Sequence, residues 1–198
     1  MTTAIYLAHL NPVTNSHIEI IKELKKENEV RVMPVVFMKK DKEINSRSFP
    51  FSFQLRKKML QSVFDDSILI LSNYTFYSPF ARYIPPLLSP FSWNIKEKIL
   101  DGISEEYFTY TGDSTEGFVL KLYGLNPKIG TRKSISASFV REKMFEEALG
   151  NDTDWEKYVP QEVIKIIREN WQIVKKYSVE QDYTHKILGM KFPRDGFW

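Results

Sequence analysis

Apolar and polar positions follow two alternating periods along this chain. Ala4 to Leu10 is an apolar run long enough for a short strand buried on both faces, and Ile18, Ile20, Ile21 and Leu24 then recur at helical spacing among Glu and Lys. A second β-branched run, Val30 to Phe37, predicts a strand that Pro34 makes irregular or places at an edge. "MKKDKEINSRS" reads as a polar loop, "FSFQLRKKMLQSVF" as a helix capped by Ser52, and "SILILSN" as a third strand. From Tyr74 to Trp93 the pattern breaks. "YTFYSPFARYIPPLLSPFSW" is aromatic and Pro-rich, has no clean period and predicts an insertion or lid.

Regular periods then return. "NIKEKILDGI" predicts a helix, "EYFTYTGD" a strand, "STEGFVLKLYGL" a helix ending near Gly124, and "PKIG" a short strand. Two helices follow, "SISASFVREKMFEEALG" behind a serine cluster and "PQEVIKIIRENWQIVKKY" with Pro160 in its first turn. The stretch from Ser178 to Trp198 carries aromatics but little pattern. Strands alternating with helices predict an α/β fold, a doubly wound parallel sheet with C-terminal helices. The expected organisation is one domain over residues 1–176, with the insertion at 74–93, and a tail over 177–198.

Composition narrows the chemistry. A length of 198 residues, 42% hydrophobic and 27% charged, is ordinary for one globular domain, and a formal net charge of +3 gives no reason to expect a nucleic-acid partner. With no cysteine, disulfides, thiolate metal sites and a Cys nucleophile are excluded. No run of some twenty apolar residues is present, and the N-terminus lacks the basic start of a signal peptide, so a cytoplasmic protein without membrane contact is expected. Three histidines are available: His9, His17 and His185. His185 has no partner pattern and is assigned to the surface.

Two sites carry candidate chemistry. In a doubly wound fold, phosphates sit after the first strand, where unpaired backbone N–H groups and the positive dipole end of the first helix converge. His17 lies in that first turn. It either donates a ring N–H to phosphate oxygens or covers the helix end. The second site is "SISASFVREKM": Ser134, Ser136 and Ser138 offer caps and hydroxyl donors, and Arg141 follows one turn on, either reaching the same anion or lying solvated beside a plain serine cap.

These residues resemble the HIGH-type nucleotidylyltransferase superfamily. "AIYLAHLNPVTNSHIEII" is similar to its first signature, G-x-F-x-P-x-[HT]-x-G-H, and most like the Thr-Asn-Gly-His variant of phosphopantetheine adenylyltransferases. "ISASFVR" is similar to the second, I-S-x-[ST]-x-[IVL]-[RK], and "FPFSFQLRKKML" to the F-[ST]-x-x-E-R-x-x-[ML] helix between them. The sequence departs from the pattern at Ala8, Leu10, Ser16 and Leu55, which stand for the early Gly, the Phe, the Gly before the histidine and the helix Glu. The segment from "ISASFVR" through "DWEKYVP" looks like the archaeal-type nicotinamide mononucleotide (NMN) adenylyltransferases, and "YTGDS" is similar to the T/S-G-[ND] turn of that group.

The resemblance implies a Rossmann-like, HUP-type fold and an enzyme that moves a nucleoside monophosphate from a nucleoside triphosphate to a phosphorylated small molecule, releasing pyrophosphate. ATP and NMN, giving NAD, are the first expectation. Phosphopantetheine, or a phospho-alcohol or phosphonate with CTP, is the alternative, and a nucleotide-binding regulatory protein with diminished catalysis is a third reading. By the resemblance His17 and Arg141 are catalytic. Thr14, Ser16, Ser136, Ser138, Gly112, Asp113 and Arg132 bind nucleotide. His9, Asn11, Lys39 and Lys40 are the acceptor-side candidates, and a lysine of the loop holding Lys39, Lys40 and Lys42 swings onto the phosphates. Mg²⁺ is bound mainly through the triphosphate, with no protein ligand set. The aromatics of the insertion either stack a planar acceptor or form a homo-oligomer surface.

Overall fold

The computed structural model describes residues 2–112, 114–130, 135–188 and 190–198. The chain runs β1 (Thr3–Ala8), α1 (Asn15–Lys25), β2 (Glu29–Pro34), β3 (Val36–Lys39), β4 (Lys42–Glu43), α2 (Phe53–Phe64), β5 (Leu69–Ile70) and β6 (Thr75–Tyr77). Two 3-10 turns, Phe80–Tyr83 and Pro86–Leu88, lead to α3 (Pro90–Ile99), β7 (Tyr107–Thr111), α4 (Ser114–Leu122) and β8 (Pro127–Ile129). The rest is α5 (Ala137–Ala148), a 3-10 turn at Trp155–Tyr158, α6 (Gln161–Glu169), α7 (Trp171–Ser178), β9 (Thr184–Ile187) and β10 (Met190–Pro193). Among the described residues, no helix is long and apolar enough to cross a membrane.

Five strands form one parallel sheet in the order β5-β2-β1-β7-β8. This is the expected doubly wound α/β architecture, and it explains why the β1 positions form an unbroken apolar run. Alternate residues of a strand face opposite sides of the sheet. Ala4 and Tyr6 therefore enter a core made with α1, α2 and α5 to α7, while Ile5 and Leu7 enter a second core beneath α3 and α4.

Several local expectations are corrected. The run from Val30 to Phe37 is two strands: β2 ends at Pro34, and β3 leaves for a separate three-stranded sheet, order β4-β3-β6. Proline has no N–H to continue the ladder, and the chain changes sheets there. The lysine-rich loop is thereby a β3–β4 hairpin turning at Lys40 and Asp41, both with positive φ. The strand expected over residues 67–73 shrinks to Leu69–Ile70, paired only with β2.

The first half of the aromatic stretch is core. Tyr74, Phe76, Phe80 and Tyr83 are buried and build the second core with Phe37, Phe192 and Phe197, as edge-on and stacked rings with centroids 5.0–6.3 Å apart. α3 starts at Pro90, four residues before the expected Asn94, because Ser89 caps it and a proline fits the first helical position. The last predicted helix is broken at Asn170, which leaves the helical region and divides α6 from α7. The tail is an antiparallel β9–β10 hairpin whose Met190 and Phe192, with Phe197 beyond it, complete the second core. Surface His185 is tethered there, its ring 4.7 Å from Phe197.

Candidate active site

The sheet order reverses between β1 and β7: the chain first runs outward through β2 and β5, then returns to add β7 and β8 on the other side. Loops leaving neighbouring strands in opposite directions open a crevice at such a point. A cleft of about 230 Å³ lies there. Its walls include Ser16 and His17 from the tip of α1, Ser136 and Ala137 from the tip of α5, and Gly112 and Glu116 around the start of α4. The two candidate helix tips therefore face one space, although more than a hundred residues separate them in the chain.

α1 begins at this point because Thr14, fully buried and extended, caps it. The Thr14 backbone N–H donates to His17 Nδ1 at 3.0 Å, and the Thr14 hydroxyl lies 3.1 Å from the same nitrogen. With Nδ1 accepting, the neutral ring carries its proton on Nε2, leaving one N–H for the cleft. Burial lowers the His17 pKa to about 4, so the ring is neutral at physiological pH. Behind it stand Tyr6, 6.4 Å away ring to ring, and Tyr110, edge-on to Tyr6 at 6.1 Å. Gly130 makes room for that wall, since a Cβ there would fall 1.8 Å from the Tyr110 hydroxyl. Burial, and the Glu116 charge second, push the Tyr6 pKa up and keep its hydroxyl protonated. Glu116 itself accepts from the Thr111 hydroxyl at 2.6 Å.

Ser136 caps α5, accepting from the Phe139 backbone N–H at 3.2 Å, and faces the cleft. Arg141 does not line it. Its guanidinium, 5% exposed, donates from Nη1 to the Asn11 carbonyl at 2.7 Å and from Nη2 to the Ser138 hydroxyl at 3.3 Å. Burial lowers its pKa, its two bonds tie the loop after β1 to α5, and its buried Nε has no hydrogen-bond partner among the described residues. Ser138 is taken up in the same contact. Asn11, 1% exposed, is likewise spent: its amide donates to the Phe51 carbonyl and its oxygen accepts the Phe51 N–H. Thr14 acts through His17 and the helix cap.

The remaining candidates sit on the other side of the β1 end. His9 stacks on Phe49 at 4.8 Å, and its Nδ1 is buried without a hydrogen-bond partner among the described residues. Burial first, then Arg56, Arg141 and Lys191, lower its pKa to about 3. Lys39 is drawn to the C-terminal segment, 2.5 Å from Asp195, and Lys40 is an exposed turn residue. Neither lines the cleft. Asp113, Arg132 and Ser134 lie outside the described residues.

Sequence reasoning gave Arg56 no role, although it stands in the quoted helix motif. It is 2% exposed and donates from Nη1 to the His9 and Val35 carbonyls, both at 2.8 Å, and from Nη2 to Glu43 at 3.1 Å. Arg56 and Arg141 thus grip the loop after β1 by the carbonyls of His9 and Asn11. A buried Arg one turn into a helix whose first turn is "FSFQLR" was the available signal.

The two depressed histidines have a consequence for stability. Unfolded histidines titrate near 6.5, whereas His9 and His17 resist protonation down to about 3 and 4 when folded. Below pH 6.5 the unfolded chain binds more protons than the folded one, so stability falls on acidification and is level above. Denaturant midpoints measured from pH 8 to pH 4 are expected to drop below about pH 6.5, with a smaller drop in His9→Phe. A flat profile contradicts the burial of both rings.

A parallel sheet with helix tips gathered at its switch point is the architecture of the Rossmann-like nucleotidylyltransferases, and solved structures of that class superpose on this chain. One is a bifunctional NMN adenylyltransferase/ADP ribose pyrophosphatase from Francisella tularensis complexed with AMP and a Mn ion, at 13% identity and a TM-score of 0.63, covering 90% of this chain and 52% of that one. The chain therefore spans about half the length of that protein. A putative nicotinate-nucleotide adenylyltransferase from Vibrio parahaemolyticus matches at 14% identity and 0.53, covering 88% and 96%. The nicotinic acid mononucleotide adenylyltransferase of Plasmodium falciparum, complexed with NaAD, matches at 14% and 0.52, covering 87% and 98%. At such identities the likeness is one of fold. No family model matches the chain, and no curated protein matches its sequence.

Proposed function

We propose that this chain is an adenylyltransferase that joins the AMP part of ATP to a phosphorylated pyridine nucleotide such as NMN. The observation that carries this reading is the cleft where the tips of α1 and α5 meet around His17. Two helix N-termini offer backbone N–H groups and positive dipole ends to one polyanion, and the His17 Nε2–H adds a donor that needs no reorganisation. The choice of a pyridine nucleotide draws on the fold neighbours, which are named for NMN or nicotinic acid mononucleotide and bind AMP or NaAD.

In the proposed reaction an oxygen of the acceptor phosphate forms a bond to the α-phosphorus of ATP. The bond from that phosphorus to the bridging oxygen breaks, and pyrophosphate leaves with its electron pair. Such in-line transfer needs positioning and charge stabilisation more than covalent help. His17 donates to the oxygens on which charge grows, and Ser16, Ser136 and Ala137 hold the phosphates at the helix tips. Glu116, an acceptor, suits the hydroxyl-bearing sugar. Arg56 and Arg141 hold the loop that aims His17. His9, at the end of β1, belongs to the acceptor side of this reading, its ring stacked on Phe49.

A divalent ion fits this donor set if the phosphates are its main ligands. No group of three His, Asp or Glu able to hold a metal occurs among the described residues, and Glu116 is the carboxylate on the cleft wall. Such an ion neutralises triphosphate charge when bound.

Incubating the protein with Mg²⁺, each of the four nucleoside triphosphates and a panel of NMN, nicotinic acid mononucleotide, phosphopantetheine and a phospho-alcohol, while measuring pyrophosphate, tests the reading. Release with ATP and a pyridine mononucleotide is expected. Release with CTP alone, or with phosphopantetheine alone, overturns the acceptor assignment, and no release with any pair makes the chain a nucleotide-binding protein.

A further inference from the structure

A second and larger cleft, about 580 Å³, shares no residue with the nucleotide cleft. Trp93, Lys96, Glu97 and Leu100 form one wall and Leu122 and Tyr123 the other, with Leu87 at its edge. Leu87, Leu88 and Trp93 are 56%, 79% and 60% exposed, a cluster of large apolar side chains that a solitary soluble domain rarely leaves in water. Trp93 is nonetheless fixed, its indole N–H donating to the Leu87 carbonyl at 3.1 Å. The surface is preformed.

α3 buries Ser92, Ile95 and Ile99 inward. Trp93, Lys96 and Glu97 lie at i, i+3 and i+4 on α3, and the half-buried C-cap residue Leu100 follows at i+7, so the four form one stripe along the cleft. The chemistry of that stripe is symmetric about its midpoint, with an apolar residue at each end and a cation and an anion at the centre. Neither Lys96 nor Glu97 has an ion-pair partner among the described residues.

We propose that this face binds a second copy of the chain, α3 packing antiparallel on its symmetry mate across a two-fold axis between residues 96 and 97. In a two-fold contact, what residue i gives to j is returned by j to i. Trp93 then meets Leu100 of the other copy and Lys96 meets Glu97, twice over, so every position on the stripe is complemented by the same stripe reversed. Leu87 and Leu88, on the rim, cover the partner's cleft. An unrelated partner would have no reason to match this symmetry. The charge arrangement favours the chain's own copy over a small apolar ligand, which would leave Lys96 and Glu97 unused.

The test is the mass of the full chain in solution, by sedimentation equilibrium, for wild type, Glu97→Lys and the exchange pair Lys96→Glu/Glu97→Lys. Wild type is expected to be a dimer. Glu97→Lys sets lysine against lysine at two places and is expected to raise the dimer dissociation constant about a hundredfold or more, because like charges opposed in an interface are strongly disfavoured. The exchange pair restores opposite charges and is expected to restore the dimer, which separates the interface from any damage to folding. A monomeric wild type overturns the proposal, as does a dimer indifferent to Glu97→Lys or one that the exchange pair fails to recover. These outcomes are independent of pyrophosphate release, so the interface and the proposed reaction stand or fall separately.

Discussion

Replacing His17 by Ala is expected to lower turnover with ATP and a pyridine mononucleotide by about a hundredfold to a thousandfold, the scale of losing one preorganised donor to a developing oxyanion. Folding is expected to survive. His17 stands on the cleft wall outside the apolar core, and the loss at the helix start is the Nδ1 acceptor that the Thr14 N–H and hydroxyl share, at roughly 1 kcal/mol. Steady-state kinetics beside a thermal melt would measure both. Because the ring is neutral down to about pH 4, its donor is present across pH 6 to 9, and the turnover profile should carry no inflection near 6.5 from this residue. His17→Gln, which keeps a side-chain N–H, is expected to retain more activity than His17→Ala. Full activity in the alanine variant would make His17 only a helix cap.

For Arg56→Ala the expected effect is on stability, a loss of roughly 3–5 kcal/mol, the usual outcome of removing one partner from a buried ion pair. That is a large share of the roughly 5–15 kcal/mol that holds a domain folded. Burial pulls the Arg56 pKa down to about 10, and the Glu43 carboxylate beside it offsets part of this. Without the guanidinium, Glu43 keeps the Phe53 N–H, and the carbonyls of His9 and Val35 lose the Arg56 donor. Lysine cannot reproduce two forked contacts, so Arg56→Lys should recover little. Arg56→Leu combined with Glu43→Leu should recover more than half, since neither charge is then left buried alone. A loss below about 1 kcal/mol in urea unfolding for Arg56→Ala would show that the loop after β1 is held by other contacts.

Much of the central architecture was legible because its determinants are local. A continuous apolar run marked β1, period 3.6 marked α1 and α2, and Ser52, Ser136 and Gly124 stand at the helix ends where their chemistry placed them. The aromatic stretch was illegible for an equally physical reason. Tyr74, Phe76, Phe80 and Tyr83 are buried against rings from β3 and the C-terminal hairpin while Leu87, Leu88 and Trp93 face water, so apolar residues stand on both sides and leave no alternation to read. The break at Asn170 was hidden too, because the apolar spacing continues through it on both helices.

At the candidate site the division falls between residue type and destination. The amino-acid order alone determined that a histidine opens the first helix and that serines open α5, since caps and dipoles are properties of a few consecutive residues. Only the folded chain decided that both tips share a cleft, that Arg141 donates to the Asn11 carbonyl, and that the Asn11 amide pairs with the Phe51 backbone. Each of those outcomes joins positions 40 to 130 residues apart. A guanidinium or an amide bonds whichever acceptor the packing brings within about 3 Å, and that neighbour is set by the closing of the sheet rather than by anything near it in the chain.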